Sequence, residues 1–291
     1  MGILGQAVAS GLAIGSLYAL MALALVLIYQ STDVINFAQG EMATFTTFVA
    51  WTLTAQAKLP WAVAFVITLI VAAILGALVE RVIVRQVESA PLLTIVIVTL
   101  GLFTMFNSLD GLIWGYIYKS MPSPFGGRPL VIGDVVLTQL NLWAFGLAAL
   151  ITLALFLFFR FTLIGTAMRA TAQNRVASRL MGIRVGRMLT LGWALATVLG
   201  AVAGIMLAPL LTVEPNMMGG LMIYAFAAAV LGGLNSAVGA IVGGLTLGVI
   251  EQLAGVYIGS ELKTTVAFLM IVVILTIRPA GLFGRVGLKK V

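Results

Sequence analysis

Residues 3–29 carry no charge, and neither do residues 42–57. Between them the segment 31–41, STDVINFAQGE, sets two carboxylates, an Asn, a Gln and a Gly into hydrocarbon. Apolar runs of this length fit a bilayer, whose hydrocarbon core takes about 20 helical residues to span. A charge at the centre of such a helix costs about 2.5–3.5 kcal/mol. Chains keep polar groups at that depth where they face a cavity, a pathway or a break in a helix. The pattern points to a protein that moves something across a membrane.

Composition narrows the fold class. Of 291 residues, 62% are hydrophobic and 9% charged, against about 45–50% and about 25% in soluble domains. Apolar segments of helical length with short polar punctuation indicate helices rather than a β-barrel. We expect an all-α integral membrane protein, one transmembrane domain over residues 1–291, with about eight or nine transmembrane helices, broken or half helices among them. Cys and His are both absent. That removes thiol chemistry, Cys- or His-ligated metal and haem sites, and His acid–base chemistry; no metal site is expected. The net charge of +7 sits in loops flanking the apolar runs, where it marks topology rather than nucleic-acid binding. The first run lacks a basic leader and reads as an uncleaved span.

Apolar runs fall near 3–29, 37–57, 60–80, 91–113, 142–160, 188–212, 220–232, 238–258 and 264–278. Lys58, Leu59 and Pro60 make a turn, Glu80, Arg81, Arg85 and Glu88 a charged loop, and residues 122–129, PSPFGGRP, an irregular one. Grouping the loops 81–90, 160–187 and 278–291 on one face leaves only Lys58, Lys119, Arg128 and Lys263 among the 16 Lys and Arg on the other. The rich face is expected to be cytoplasmic, with the C-terminus inside, the N-terminus outside and an odd number of full crossings.

Two spans are interrupted. The first break is 31–41; the second is 231–239, LGGLNSAVG. Gly-broken apolar segments at corresponding places in two halves are the sequence pointer to a repeat-built transporter, hence an expected two-fold pseudo-repeat. Packing is the competing reading of the second break, since Gly239/Gly243 and Gly244/Gly248 have small-xxx-small spacing. Asp33 and Glu41 also suit helix N-terminal capping. Glu214 is expected at the outer interface. Glu251, inside a span, is expected to pair with a polar neighbour or face a subunit interface. Met217, Met218, Trp51, Trp61, Trp114 and Trp143 read as interface anchors and packing.

Residues 165–187 form the longest polar stretch with helical character. Thr166 suits an N-cap and Gly182 a stop. Ala172, Val176, Ala177, Leu180 and Met181 make one apolar stripe, with Arg169, Gln173 and Arg179 largely off it. Such a helix lies on lipid headgroups or docks into a soluble partner, and periodicity alone leaves both open.

Three motifs in order, VINFAQGE at 34–41, RATAQNRVASRLMGI at 169–183 and AVLGGLNSAVGAIVGG at 229–244, with RPAGLFG at 278–284, resemble the permease subunits of branched-chain amino acid ABC importers, the LivH branch in particular. The likeness spans nearly the whole chain. It implies a permease of the bacterial cytoplasmic (inner) membrane that works beside a second permease, a related sister or itself, with two cytoplasmic ATP-binding subunits and an extracytoplasmic solute-binding protein. It implies a coupling segment holding Arg169, Gln173, Arg175, Val176, Arg179, Leu180 and Gly182, and a substrate pathway holding Asn36, Phe37, Gln39, Gly40, Glu41, Asn235 and Ser236. Relatives often carry His at position 39; Gln here keeps a hydrogen-bonding group without titration.

The chain holds no G-x-x-x-x-G-K-[ST] phosphate loop. We expect no enzyme, no cofactor bound by this chain, and ATP bound by partner subunits. The expected function is translocation of branched-chain or other amino acids by alternating access; an importer of urea or short-chain amides and an ion-coupled secondary transporter are the alternatives. An intramembrane enzyme lacks the side chains, and a purely structural subunit does not account for two polar breaks.

Overall fold

The computed structural model describes residues 2–32, 34–88, 90–123 and 126–284. Helices dominate: α1 (Gly2–Thr32), α2 (Gln39–Trp51, extended by a π-turn, Thr52–Gln56), α3 (Trp61–Val82), α4 (Leu92–Trp114), α5 (Gln139–Phe161), α6 (Leu163–Gln173), α7 (Arg175–Leu180), α8 (Val185–Leu207), α9 (Gly219–Gly232), α10 (Ala237–Tyr257) and α11 (Lys263–Ile277). Among the described residues seven helices are long and apolar enough to cross a membrane, and α9 is a shorter apolar helix. Each expected apolar run contains a helix. The starts follow local chemistry: Pro60 and Pro91 precede α3 and α4, where a proline costs no hydrogen bond.

The chain divides into two compact units, Met1–Val26, Phe125–Ala148 and Gly220–Val291 in one, Leu27–Pro124 and Ala149–Gly219 in the other. In the first, α1 and α10 meet along small residues. A Cβ on Gly11 would lie 2.7 Å from Val249 Cα, and one on Gly15 would lie 2.8 Å from the Gly244 carbonyl. Gly244 and Gly248 face the backbone of Ala19, Gly11 and Gly15 in return. The packing reading of Gly244/Gly248 therefore holds: only hydrogen lets the two backbones approach this closely. Glu251, buried on α10, accepts from the Tyr18 hydroxyl at 2.6 Å and lies 3.5 Å from Lys263 Nζ. That is the polar pairing expected of it. The loop between α4 and α5 carries a short antiparallel hairpin, β1 (Leu130–Ile132) with β2 (Val135–Leu137), in an otherwise all-α fold. Gln6 holds it through both sides of its amide, at 2.9 Å to the Val136 carbonyl and 2.7 Å from the Val136 N–H.

In the second unit α8 lies against α3 and α2, and α2 against α4. Trp114 stacks on Phe48 and donates to the Thr52 hydroxyl at 2.8 Å; Trp51 donates to the Ser120 carbonyl at 3.1 Å. Met217 and Met218 are buried. These residues pack, as expected. An ion pair between buried Glu80 and half-buried Arg85 joins the α3 end to the α8 start: Glu80 accepts from Arg85 at 2.7 Å and from Thr190 at 2.7 Å, while Arg85 also donates to the Gly186 carbonyl at 2.8 Å.

Candidate functional site

The first break is built from side chains replacing helix. After Thr32 the ladder stops; Asp33, a candidate cap, lies outside the described residues. Asn36, buried, folds onto its own backbone, its Oδ1 accepting from the Ala38 N–H at 3.0 Å. This is the local turn that Asn makes readily. Its amide donates to Gln39 Oε1 at 3.4 Å, and Gln39 Nε2, fully buried, donates to the Ala196 carbonyl of α8 at 2.9 Å. The break is thus locked to α8 by neutral amides. Gly40 is buried and Phe37 is exposed. Glu41 lies in the first turn of α2, where the helix N-terminus favours a carboxylate, and accepts from Asn107 Nδ2 of α4 at 3.2 Å.

Asn107 and Asp110 extend this polar site. Asn107 also donates to Asn216 Oδ1 at 2.8 Å. Asp110, within electrostatic reach of Glu41, is fully buried, and neither carboxyl oxygen has a hydrogen-bond partner. Sequence reasoning passes over both because the run 91–113 that holds them is otherwise almost wholly apolar. Their i, i+3 spacing, which puts two polar groups on one helix face, is the available signal.

The second break, with Asn235 and Ser236, belongs to the first unit, and Asn36, Phe37, Gln39, Gly40 and Glu41 belong to the second. Helix α9 ends at Gly232, and Gly233 turns the chain at φ +104°, a conformation that costs Gly nothing. Asn235 is exposed. Ser236 caps α10, its hydroxyl accepting from the Gly239 N–H at 3.0 Å. The last carbonyls of α9 accept from the RPAGLFG segment: Leu282 N–H to Leu231 at 2.9 Å and Phe283 N–H to Gly232 at 3.0 Å. Two motifs far apart in sequence form one structure.

The 165–187 stretch is two helices rather than one. Thr162, not Thr166, caps α6, accepting from the Gly165 N–H at 2.9 Å, and Asn174 caps α7, accepting from the Ala177 N–H at 2.9 Å. The second cap splits the helix, because an Asn oxygen competes for the backbone donors that a continuing helix needs. Gly182 is the stop expected of it, at φ +80°, with its N–H bonded to the Arg179 carbonyl and the Ile183 N–H to the Ser178 carbonyl. This is the bond pair of a helix C-terminal glycine motif. The apolar stripe faces outward, Val176 68%, Leu180 84% and Met181 82% exposed. Arg169, Gln173 and Arg179 are exposed too. Arg175 turns inward instead, donating to Glu88 at 2.8 Å and to the Ser31 carbonyl at the end of α1.

Residues 7–275 match the family model described as branched-chain amino acid transport system / permease component. The chain is 31% identical to the high-affinity branched-chain amino acid transport system permease protein LivH of Escherichia coli (strain K12), with 98% of this chain and 97% of that protein covered. It is 32% identical to BraD of Pseudomonas aeruginosa at the same coverage. The probable branched-chain amino acid transport permease protein LivH of Methanocaldococcus jannaschii is 27% identical over 92% of this chain and 89% of its own length. A multi-pass helical architecture, two polar breaks and these matches agree: the chain belongs to the branched-chain amino acid permease family of ABC transport systems.

Proposed function

We propose that this chain is the permease of a binding-protein-dependent ABC importer that carries branched-chain or other amino acids by alternating access, driven by two separate ATP-binding subunits. The observation that carries the reading is the outward apolar stripe of α7 beside Arg179, on a helix with a cap at each end. An exposed, pre-formed amphipathic face is what a groove on a soluble partner takes up. The basic face on which it stands would be cytoplasmic, with the C-terminus inside and the N-terminus outside.

In this reading α6 and α7 seat in the ATP-binding subunits, the pathway passes the two breaks, and an extracytoplasmic binding protein delivers the solute. A second permease, a sister or another copy, completes the transmembrane part. Asn36 and Gln39 hold the first break in shape without fixed charge; Glu41 and Asn107 put polar atoms beside it. Ser236 holds the second break, and Asn235 supplies an amide there.

The test is uptake into proteoliposomes holding this chain, its ATP-binding subunits, a sister permease and the binding protein, offered labelled amino acids, amides and urea. Uptake of an amino acid that needs both ATP and binding protein is the expected result. Uptake of amides or urea alone would reassign the solute. Uptake on an ion gradient without ATP would overturn the importer reading.

A further inference from the structure

We infer that Arg175 is a positioning residue for transport, a strut that carries displacement of α6 and α7 to the first break, rather than a contact to the ATP-binding subunit. The inference rests on the importer reading above. Arg175 is the first residue of α7, the end of a helix that disfavours a cation. Its guanidinium leaves that end and reaches the C-terminus of α1, where free carbonyls favour one.

The acceptor there is the Ser31 carbonyl. The Ser31 hydroxyl is turned back on the Leu27 and Ile28 carbonyls at 3.0 and 2.8 Å. The other arm of the fork meets Glu88 at 2.8 Å, in a pair with side chains 27% and 23% exposed. A planar fork with two acceptors fixes both distance and direction, which a lysine cannot do.

Glu88 immediately follows the 3-10 turn Val84–Val87, whose Arg85 grips Gly186 and Thr190 at the start of α8. The segment from Arg175 to Thr190 is therefore held to one turn on both sides of Gly182. A force on the exposed stripe of α7 passes through Arg175 to Ser31, and the break opens within a few residues of that point, at Asn36.

The experiment uses the assembled importer in proteoliposomes and reads three quantities: ATP-binding subunit retained on purification, ATP hydrolysed, and solute moved per ATP. Arg175→Leu is expected to retain the subunit and hydrolysis while solute moved per ATP falls about 10-fold, the upper part of the range for residues that carry coupling. Arg175→Lys, which keeps the charge but not the fork, is expected to lie between Arg175→Leu and the parent.

An unchanged ratio in Arg175→Leu overturns the strut. So does loss of the ATP-binding subunit, because Arg175 would then be a docking contact. If Arg175→Leu does not insert, Glu88→Gln carries the same test: it leaves an acceptor for the guanidinium, and a ratio about 3-fold lower is expected against an unchanged ratio that overturns. A parent importer without ATP dependence sinks the importer reading itself, a failure seen before any variant is made.

Discussion

Gly11→Ala adds one methyl group where the structure has no space for it. The new Cβ would lie 2.7 Å from Val249 Cα, 2.9 Å from the Gly248 carbonyl oxygen and 3.1 Å from the Val249 nitrogen. All three are backbone atoms, so no rotamer change relieves the clash. Ordinary contact begins at 3.4 Å, so α1 and α10 must part locally by about 0.7 Å, a gap that forfeits a quarter to a half of the dispersion energy of each facing atom pair. Overpacking of this kind costs about 1–3 kcal/mol. The better helix propensity of Ala returns up to about 1 kcal/mol. The expected net loss is about 1–2 kcal/mol, or roughly 2–8 °C in melting temperature for a chain of a few hundred residues. The assay is thermal unfolding of the purified protein in detergent, with Gly146→Ala as the control. A Cβ added at Gly146 would meet nothing within 4 Å, so the control should hold or gain stability. Equal melting temperatures for Gly11→Ala and Gly146→Ala would refute close backbone packing of α1 on α10.

Tyr18→Phe removes a 2.6 Å donor to buried Glu251 and is expected to cost about 1.5–3 kcal/mol, read as a lower melting temperature; an unchanged one would show the bond to be worthless. Ser236→Ala removes the α10 cap and should cost about 1 kcal/mol while Ser236→Gly costs only a few tenths, an order that thermal unfolding of the pair checks. Asp110→Leu replaces a buried carboxyl that has no hydrogen-bond partner. It is expected to gain about 1–3 kcal/mol, and a fall in melting temperature would reveal a bond worth keeping.

The helices are legible in the sequence because lipid imposes one rule on every span: about 20 apolar residues, backbone satisfied within the segment. Both breaks are legible for the same reason, since STDVINFAQGE and LGGLNSAVG violate it. The stop at Gly182 is readable from glycine's backbone freedom. What is not legible depends on pairs distant in sequence. Arg175 looks like its neighbour Arg179, yet one turns to Glu88 and the other to the outside. The choice lies in where residue 88 stands, which periodicity in 165–187 does not contain. Thr166 loses the cap to Thr162 because several hydroxyls compete near one helix start and backbone φ and ψ decide among them. Asp110 is hidden because most of its run, 91–113, is apolar and reads as an ordinary span. The pathway residues are proposed from two breaks; the structure explains how each break is held and puts them in different units.

The bonds from Leu282 and Phe283 to the end of α9 also fix an order of assembly. As α9 leaves the ribosome its last two carbonyls have no partners, and the residues that will cap them are made only after α10 and α11. The unit containing the second break is therefore closed late in synthesis by residues near position 282. Until then the two carbonyls at the end of α9 lack the partners they have in the folded protein.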